Sequence, residues 1–251
     1  MLSLKKWRHD SPQHLTSTTP SDTGTPVAPT LPKPVVRQYS GVTWDETALN
    51  LDTMGGPRSV EHVRARFNST LPIIIWDAAR LEQNTLTLRD LQKILIDTLP
   101  HEENHEECQH VLALRETYST LDRLITSGEF TLTQTTSDEI HHCVTSGSRE
   151  PDGHKPRQFD FFRNLSLYLG TMSDPRLRAL IYAAVTIRQQ PYSSGNTRTA
   201  LVMASGELMT NGYDPISVPH TRLNEYHQAL EELSHTNNAT PLMTLLTDSA
   251  R

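Results

Sequence analysis

Two apolar helical segments joined by a short polar turn lie in the second half of the sequence. The first, Asp174–Arg188, contains Leu180–Ile187, a run that is apolar on nearly every side and is therefore typical of a helix buried in a core. The second, Thr197–Thr210, ends at Asn211-Gly212, which is suited to a helix C-cap. Because a fully apolar helix must be enclosed by other elements, the sequence predicts a mainly α fold, a bundle arranged around a central helix–loop–helix.

Amphipathic segments elsewhere supply the surrounding helices. Their apolar residues recur at helical spacing, as in Thr87–Ile96, where Thr87 is suited to cap the N-terminus. Strand signals are sparse. The predicted helical segments are Glu61–Phe67, Asp77–Leu81 (which follows the apolar run Leu71–Trp76), Thr87–Ile96, Val111–Thr126, Thr131–Val144, Phe159–Leu169 and Arg222–Leu233.

The N-terminal segment differs from the rest of the chain in composition. Residues 11–34 are mainly Thr, Ser and Pro, and such a stretch cannot bury enough apolar surface to offset the entropy of ordering it. We therefore expect a disordered tail at residues 1–40, a helical N-terminal segment at 41–100 and a core domain at 101–251. The tail accounts for part of the low hydrophobic share of the chain, 35%.

Charge and apolar patterning exclude several classes of protein. The 251 residues include 23 Lys and Arg against 29 Asp and Glu, so a general binder of nucleic acid or of an anionic membrane is not expected. No run of roughly 18 apolar residues could cross a membrane, and residues 1–8 lack the apolar core of a secretory signal. The two cysteines, Cys108 and Cys143, are too few for a disulfide framework and fit a reducing compartment. We expect a soluble cytoplasmic protein.

The letters His101-Glu-Glu-Asn-His105 match the HExxH pattern of zinc proteases, with Cys108 and His110 nearby. A zinc site of that type needs both histidines on one face of a buried helix and Glu102 beside the metal-bound water. Apolar flanking residues are absent here, which is typical of a solvated segment. We therefore expect no metal site.

The turn between the two apolar helices carries the clearest candidate for chemistry. It reads Gln190-Pro-Tyr-Ser-Ser-Gly-Asn-Thr-Arg-Thr199. Gly195 lets the backbone approach a ligand closely, and the helix that follows offers unpaired N–H groups and its positive dipole end to an anion. Arg198 is unfavourable in that first turn unless an anionic partner is present, and Asn196 either orients a ligand or caps the helix. An ordinary inter-helix turn remains the alternative.

This turn resembles the active-site motif of the Fic (Fido) family, HxFx(D/E)GNGRxxR, and in particular a bacterial branch whose motif begins with Gln, QxFxDGNKR. The segment that follows, Gly206–Pro219, is also similar to that family. Upstream, Ala79-Arg-Leu-Glu-Gln-Asn-Thr-Leu-Thr-Leu88 is similar to the inhibitory helix of Fic proteins, (S/T)xxxE(G/N), with Glu82 as the inhibitory-like residue. The resemblance spans about residues 60–235 and implies a Fic-type helical bundle, to which a short β-hairpin flap can be added.

The resemblance implies a nucleotidyltransferase that moves AMP from ATP to a hydroxyl group of a target protein. In the family the motif His is the general base, the acidic residue holds Mg2+, the GNGR backbone and its Arg bind phosphates, and the last Arg contacts the γ-phosphate or the inhibitory Glu. Carried over to this chain, the catalytic positions are Gln190 and Asn196. The nucleotide- or phosphate-binding positions are Ser194, Gly195, Asn196, Thr197 and Arg198.

Several positions depart from the family pattern. Gln190 replaces the His and cannot accept a proton near neutral pH. Ser194 replaces the acidic residue and is a poor Mg2+ ligand, so ATP is a candidate ligand but Mg2+ is not expected. Leu201 replaces the last Arg, which leaves Glu82 without its expected partner, so Glu82 is not expected to inhibit. The other departures are Ala78, Gln83, Tyr192 and Thr197.

Loss of the base and of the metal ligand would leave ordinary AMP transfer very slow, unless another base such as His220 or His154 reaches the loop or the nucleophile is already ionised. Three functions stay open, and the first two are an adenylyltransferase with a degenerate motif and a catalytically inactive pseudoenzyme that binds or regulates. Other phosphate-ester chemistry is a third. The expected partners are a nucleotide or another phosphate ligand and, for the transferase, a protein target, but no nucleic acid and no membrane.

Two further predictions concern a polar loop and a pair of histidines. Residues 146–155 stand where Fic proteins carry the flap that docks a target by strand addition, but they lack an apolar β-run. His141 and His142, on an amphipathic helix, are expected to be surface or half-buried packing residues.

Overall fold

The run predicted to be central forms helix α6, Pro175–Gln189, in the computed structural model, which describes residues 35–96, 105–146 and 158–250. Asp174 caps this helix by accepting a hydrogen bond from the N–H of Arg176 at 2.9 Å, and Pro175 occupies the first turn, where it suits the backbone. Every residue from Ala179 to Ile187 is buried. The prediction of a central buried helix is confirmed.

The described residues are mainly helical, and α6 and α7 pack along each other more extensively than any other pair of elements. Helices α1, α3 and α4 contact α7, while α5, α8 and α9 contact α6. The bounds are β1 Val36–Tyr39, β2 Val42–Asp45, α1 Val60–Leu81, α2 Leu88–Ile96, α3 His105–Ser127, α4 Gln134–Thr145, α5 Gln158–Leu169, α6 Pro175–Gln189, α7 Asn196–Thr210, α8 Leu223–Thr236 and α9 Thr240–Asp248.

One close approach inside this core depends on a glycine. A Cβ atom added to Gly206, on α7, would lie 2.2 Å from Cε2 of Phe130. The missing side chain therefore lets the Phe130 ring pack directly on the α7 backbone, and Phe130 is itself buried.

The prediction of a disordered tail over residues 1–40 is wrong for its last residues, because Val36–Tyr39 forms strand β1 and pairs antiparallel with β2. The hairpin is tied to the other end of the chain: the N–H of Thr43 donates to the carbonyl of Asn237 at 2.9 Å, and the N–H of Ala239 donates to the carbonyl of Thr43 at 2.7 Å. Residues 1–34 lie outside the described residues. So do residues 147–155, nearly all of the segment where a flap was considered.

Two helical predictions also need correction. The segments Glu61–Phe67 and Asp77–Leu81 belong to one helix, α1, which continues through Pro72. Proline removes one helical hydrogen bond, but both halves of α1 bury apolar side chains, and this packing outweighs the local preference. Helix α9 was missed, although Pro241 in its first turn is a start signal. None of the helices in the described part of the chain is long and apolar enough to span a membrane.

Candidate functional site

The turn between α6 and α7 is held in shape by its own asparagine. Asn196 is buried, and its Oδ1 accepts a hydrogen bond from the N–H of Tyr192 at 2.8 Å, while its Nδ2 donates to the carbonyl of the same residue at 3.0 Å. Of the two roles open to Asn196 on sequence grounds, capping the helix does not match this geometry, whereas orienting a ligand stays a prediction. The side chain instead closes the turn on itself, which fixes the start of α7.

Tyr192 anchors the turn to helix α4. Its ring is fully buried and stacks on His141, with the ring centroids 3.7 Å apart and the planes 10° from parallel. Its hydroxyl donates to Oδ1 of Asp138 at 2.7 Å and lies 2.8 Å from Oγ of Ser137. Burial raises the pKa of the Tyr192 hydroxyl well above its usual range, so the group stays neutral and acts as a hydrogen-bond donor.

His141 is part of this support, which corrects one expectation. It is buried, and its Nδ1 lies 3.2 Å from Oγ1 of Thr199 on α7, whereas a surface or half-buried position was expected. The neighbouring His142 is exposed, as expected. The missed signal was helical spacing, because Ser137, His141 and Val144 lie on the buried face of α4.

Gly195 fits where a side chain would not. Its φ of +66° is in the left-handed region, which favours glycine. A Cβ atom there would lie 3.0 Å from Cγ1 of Val144 and 3.2 Å from Cγ2 of Thr145. The turn is therefore packed against the C-terminal end of α4. The close approach that Gly195 allows is an approach of the turn backbone to α4, whereas the approach to a ligand stays a prediction.

The N-terminus of α7 presents backbone donors. The first hydrogen bond of the helix runs from the N–H of Thr199 to the carbonyl of Gly195 at 3.0 Å, so the N–H groups of Asn196, Thr197 and Arg198 precede the helical ladder. No described side chain caps this end of the helix. We call these three N–H groups and the Arg198 side chain the anion cradle, because a helix N-terminus with a cation beside it suits a negative ligand.

Arg198 already has an acidic partner, and this corrects the expectation that Glu82 lacks a cation beside it, while its role in inhibition stays a prediction. The Nε atom of Arg198 lies 2.7 Å from Oε1 of Glu82, and its Nη1 donates to the carbonyl of Val144 at 3.1 Å. The other carboxylate oxygen, Oε2, is 3.2 Å from Nε2 of His110. Arg198 and Leu201 are three residues apart on α7 and share a face of the helix, so Arg198 reaches Glu82 although the expected position holds Leu201.

Two cavities flank the first turn of α7. The loop-side cavity has a volume of about 430 Å³ and reaches from the turn to α8; it is lined by Ile187, Arg188, Gln189, Gln190, Thr197, Leu230, Leu233 and Ser234. The apolar cavity, of about 220 Å³, lies between α1, α3, α7 and α8; it is lined by Ala78, Leu81, Glu82, Leu114, Tyr118, Thr197, Arg198, Leu201, Val202, Tyr226, His227 and Leu230. Thr197 and Leu230 border both.

The donors around the turn do not suit Mg2+. Ser194 offers a hydroxyl where a carboxylate would be needed, and Glu82 is committed to Arg198. Within residues 35–96, 105–146 and 158–250, no three His, Cys, Asp or Glu side chains are grouped so that they could hold a metal ion. Residues 101–104 of the HExxH-like segment lie outside these ranges, while Cys108 is buried and His110 contacts Glu82.

Of the two substitute bases considered on sequence grounds, His220 pairs with an acidic residue of α1. The Nδ1 atom of His220 lies 2.8 Å from Oδ1 of Asp77, which also accepts from the backbone N–H of His220 at 3.0 Å. This contact ties the start of α8 to α1, and His220 lines neither cavity described above. His154 lies outside the described residues.

No family model matches the chain, and no curated protein matches it. Solved structures, however, share its fold. Fic-1 (residues 134–508) from C. elegans superposes with a TM-score of 0.66 at 17% identity, covering 79% of this chain and 66% of that one. A Fic domain containing signaling protein from Bacteroides thetaiotaomicron gives a TM-score of 0.57 at 17% identity, with 79% and 87% covered. A Fic family protein from Desulfovibrio desulfuricans gives 0.54 at 17% identity, with 80% and 71% covered.

These likenesses show that the chain has the Fic-type helical fold, as predicted. The chain spans 66% of residues 134–508 of the C. elegans protein. At 17% identity, the comparison concerns the fold.

Proposed function

We propose that this chain is a Fic-family protein that binds a nucleotide or another phosphate ligand at the anion cradle and that has lost the groups needed for ordinary AMP transfer. The observation that carries the proposal is the N-terminus of α7, which no described side chain caps and which has the Arg198 guanidinium beside it. Gln190 at the start of the turn fits the bacterial branch whose motif begins with Gln.

The loop-side cavity suits the rest of such a ligand. Its volume of about 430 Å³ falls within the roughly 300–1,000 Å³ that is usual for small-molecule sites. Thr197, in the first turn of α7, lies on its wall together with apolar residues from α6 and α8. A phosphate at the cradle could therefore carry a nucleoside into this cavity.

The chemistry of the turn argues against efficient transfer. An attacking hydroxyl must lose its proton, and the amide of Gln190 cannot take it; general-base catalysis is worth about 10²–10⁴ in rate. Ser194 offers no carboxylate to hold a metal ion, and Leu201 offers no guanidinium, so neither position helps to neutralise the phosphates. A binding or regulatory role as a pseudoenzyme is therefore our proposal.

Slow adenylylation of a protein hydroxyl, with ATP as the donor, is the second candidate. It is favoured by the position of Gln190, which lines the loop-side cavity beside the first turn of α7. A reacting group at residue 190 would therefore face the space assigned to the nucleotide. The target would be another protein, and the reaction would proceed without a base at residue 190.

Glu82 opposes ligand binding in this proposal. It satisfies the charge of Arg198 before any ligand arrives, so a phosphate must displace the carboxylate or share the guanidinium with it. The pair is only partly exposed, with 34% of the Glu82 side chain and 23% of the Arg198 side chain accessible. Affinity for the ligand is thus the balance between two anions that compete for one cation.

Isothermal titration calorimetry with ATP tests the proposal. Arg198→Ala should weaken binding by at least about tenfold, because hydrogen bonds to charged groups are worth about 1.5–3 kcal/mol. Arg123→Ala is the matched control, since Arg123 forms its ion pairs with Glu129 and Glu139 at an exposed site. Absence of ATP binding, or an equal affinity in wild type and Arg198→Ala, would overturn the proposal.

A further inference from the structure

The apolar cavity lies on the other side of the first turn of α7 from the loop-side cavity. Its walls come from four helices, with Leu81 on α1, Leu114 and Tyr118 on α3, Leu201 on α7 and Tyr226 on α8. The site proposed for the nucleotide shares Arg198 with this cavity but places the nucleoside in the loop-side cavity. Because Thr197 and Leu230 border both cavities, a ligand held at the cradle can reach either one.

The walls of the apolar cavity suit a neutral group. The only described acidic and guanidinium side chains on its lining are Glu82 and Arg198, which neutralise each other at one end. Leu201 places an aliphatic side chain further along the same face of α7. Apart from the imidazole of His227, the lining offers a multiply charged group no further basic side chain, so bringing such a group out of water is costly.

Two tyrosines add polar atoms without adding charge. Burial, together with the nearby carboxylate of Glu82, raises the pKa of Tyr118 and of Tyr226 above the usual range. Both phenols therefore remain protonated, and their rings offer flat apolar faces. Flat faces and neutral donors favour an aromatic occupant that carries one or two polar atoms.

The volume sets the size of the occupant. An apolar cavity of about 150 Å³ holds benzene, so the cavity of about 220 Å³ has room for a substituted ring or a small fused bicycle. It is smaller than the roughly 300–1,000 Å³ of a complete small-molecule site. This is the size of a subsite for one part of a ligand.

We propose that the apolar cavity is a binding subsite for a neutral aromatic group of one or two rings, and that the full ligand is a phosphate ester of such a group, with its phosphate at Arg198. The second half of this inference rests on the proposed anion binding at the cradle, whereas the first half does not.

Indole is the probe for the ring, and its binding can be followed by calorimetry or by amide chemical shifts. Two matched substitutions distinguish the cavities, since each adds one phenyl ring to one of them: Ala78→Phe fills the apolar cavity and Ser234→Phe fills the loop-side cavity. We expect saturable binding of indole to the wild type, a loss of at least tenfold in Ala78→Phe and less than a twofold change in Ser234→Phe. The reverse pattern, or no saturable binding to the wild type, would overturn the subsite.

Leu201→Arg is a second variant that tests the same cavity if Ala78→Phe does not fold. The new guanidinium enters the cavity beside Glu82, so indole affinity should fall at least tenfold while the melting temperature stays close to that of the wild type. Indole binding that is unchanged in a folded Leu201→Arg variant would contradict the proposal.

Indoxyl phosphate tests the linked ligand. It should bind at least tenfold more tightly than either indole or inorganic phosphate, and Arg198→Ala should remove that advantage, measured as the ratio of ester affinity to indole affinity within the variant. If indole binds and the ester gains nothing, the linked ligand is refuted and the aromatic subsite stands. If ATP binds the cradle and indole does not bind, the subsite fails and the proposed function survives.

Discussion

The two sides of the turn between α6 and α7 differ in how their polar groups are satisfied. On the side facing α4, Asn196 and Tyr192 are buried and hydrogen-bonded within the protein, and Gly195 fits against Val144. On the other side, Arg198 and Glu82 are half-buried and pair with each other between two helices. The first side is a buried, hydrogen-bonded support, whereas the second is the ion pair that the proposed ligand would have to separate.

This difference explains how a fold can persist while its chemistry changes. Substitutions on the supporting side cost stability, because they leave cavities or unpaired buried groups. Substitutions at exposed positions on the ligand side, such as Gln190, should cost less stability and change mainly what the proposed site binds. Stability and ligand affinity should therefore respond to different residues.

The largest effect on stability is expected at the anchor of the support. Tyr192→Ala should lower the free energy of unfolding by about 3–5 kcal/mol, the usual cost of removing a buried aromatic side chain. Tyr192→Phe, which removes only the hydroxyl, should cost about 1–3 kcal/mol because it leaves polar partners unsatisfied. Urea denaturation measures both. Equal losses in the free energy of unfolding would show that burial of the Tyr192 ring does not stabilise the turn.

A smaller loss is expected at the glycine of the turn. Gly195→Ala combines a positive φ with a crowded Cβ position and should cost about 1–3 kcal/mol. Gly128→Ala is the control, because Gly128 has a φ of +72° but no atom within 4 Å of the added Cβ. Thermal melts should place Gly195→Ala below Gly128→Ala; the opposite order would contradict close packing on α4.

The smallest effect on stability is expected on the ligand side. Glu82→Gln should change the free energy of unfolding by about 1 kcal/mol or less, as is usual for partly exposed ion pairs. ATP affinity should rise severalfold, because Arg198 no longer has a competing carboxylate. Glu116→Gln, at an exposed position on α3, is the control. A fall in ATP affinity in Glu82→Gln would mean that Glu82 assists binding instead of opposing it.

The helical architecture could be predicted from the sequence because its strongest signals are local. The apolar run of α6, the capping threonine of α2 and the glycine-containing turn each depend on neighbouring residues, and the structure contains all three. Helix α1 was harder to predict, because proline is a local signal for a break and the packing that overrides it comes from other helices.

The site was less predictable, because its contacts join residues that are distant along the chain. The partner of Glu82 depends on which face of α7 meets the end of α1. The motif match placed the partner position at Leu201, whereas the structure has Arg198 in contact with Glu82. His141 was likewise misplaced, since its burial depends on the ring of Tyr192, which is more than fifty residues away. Spacing of three and four residues would have placed His141 on the buried face of α4 and Arg198 on the same face of α7 as Leu201, but it does not identify their partners.

The central claim is that the turn keeps a support for phosphate binding but lacks the groups for transfer. The most direct test is incorporation of label from ATP radiolabelled in its α-phosphate, measured in a lysate for the wild type, Arg198→Ala and the triple variant Gln190→His/Ser194→Asp/Leu201→Arg. We predict that the wild type labels no more than Arg198→Ala and that the triple variant labels at least about a hundredfold more. Strong labelling by the wild type that is lost on Gln190→Ala would contradict the account.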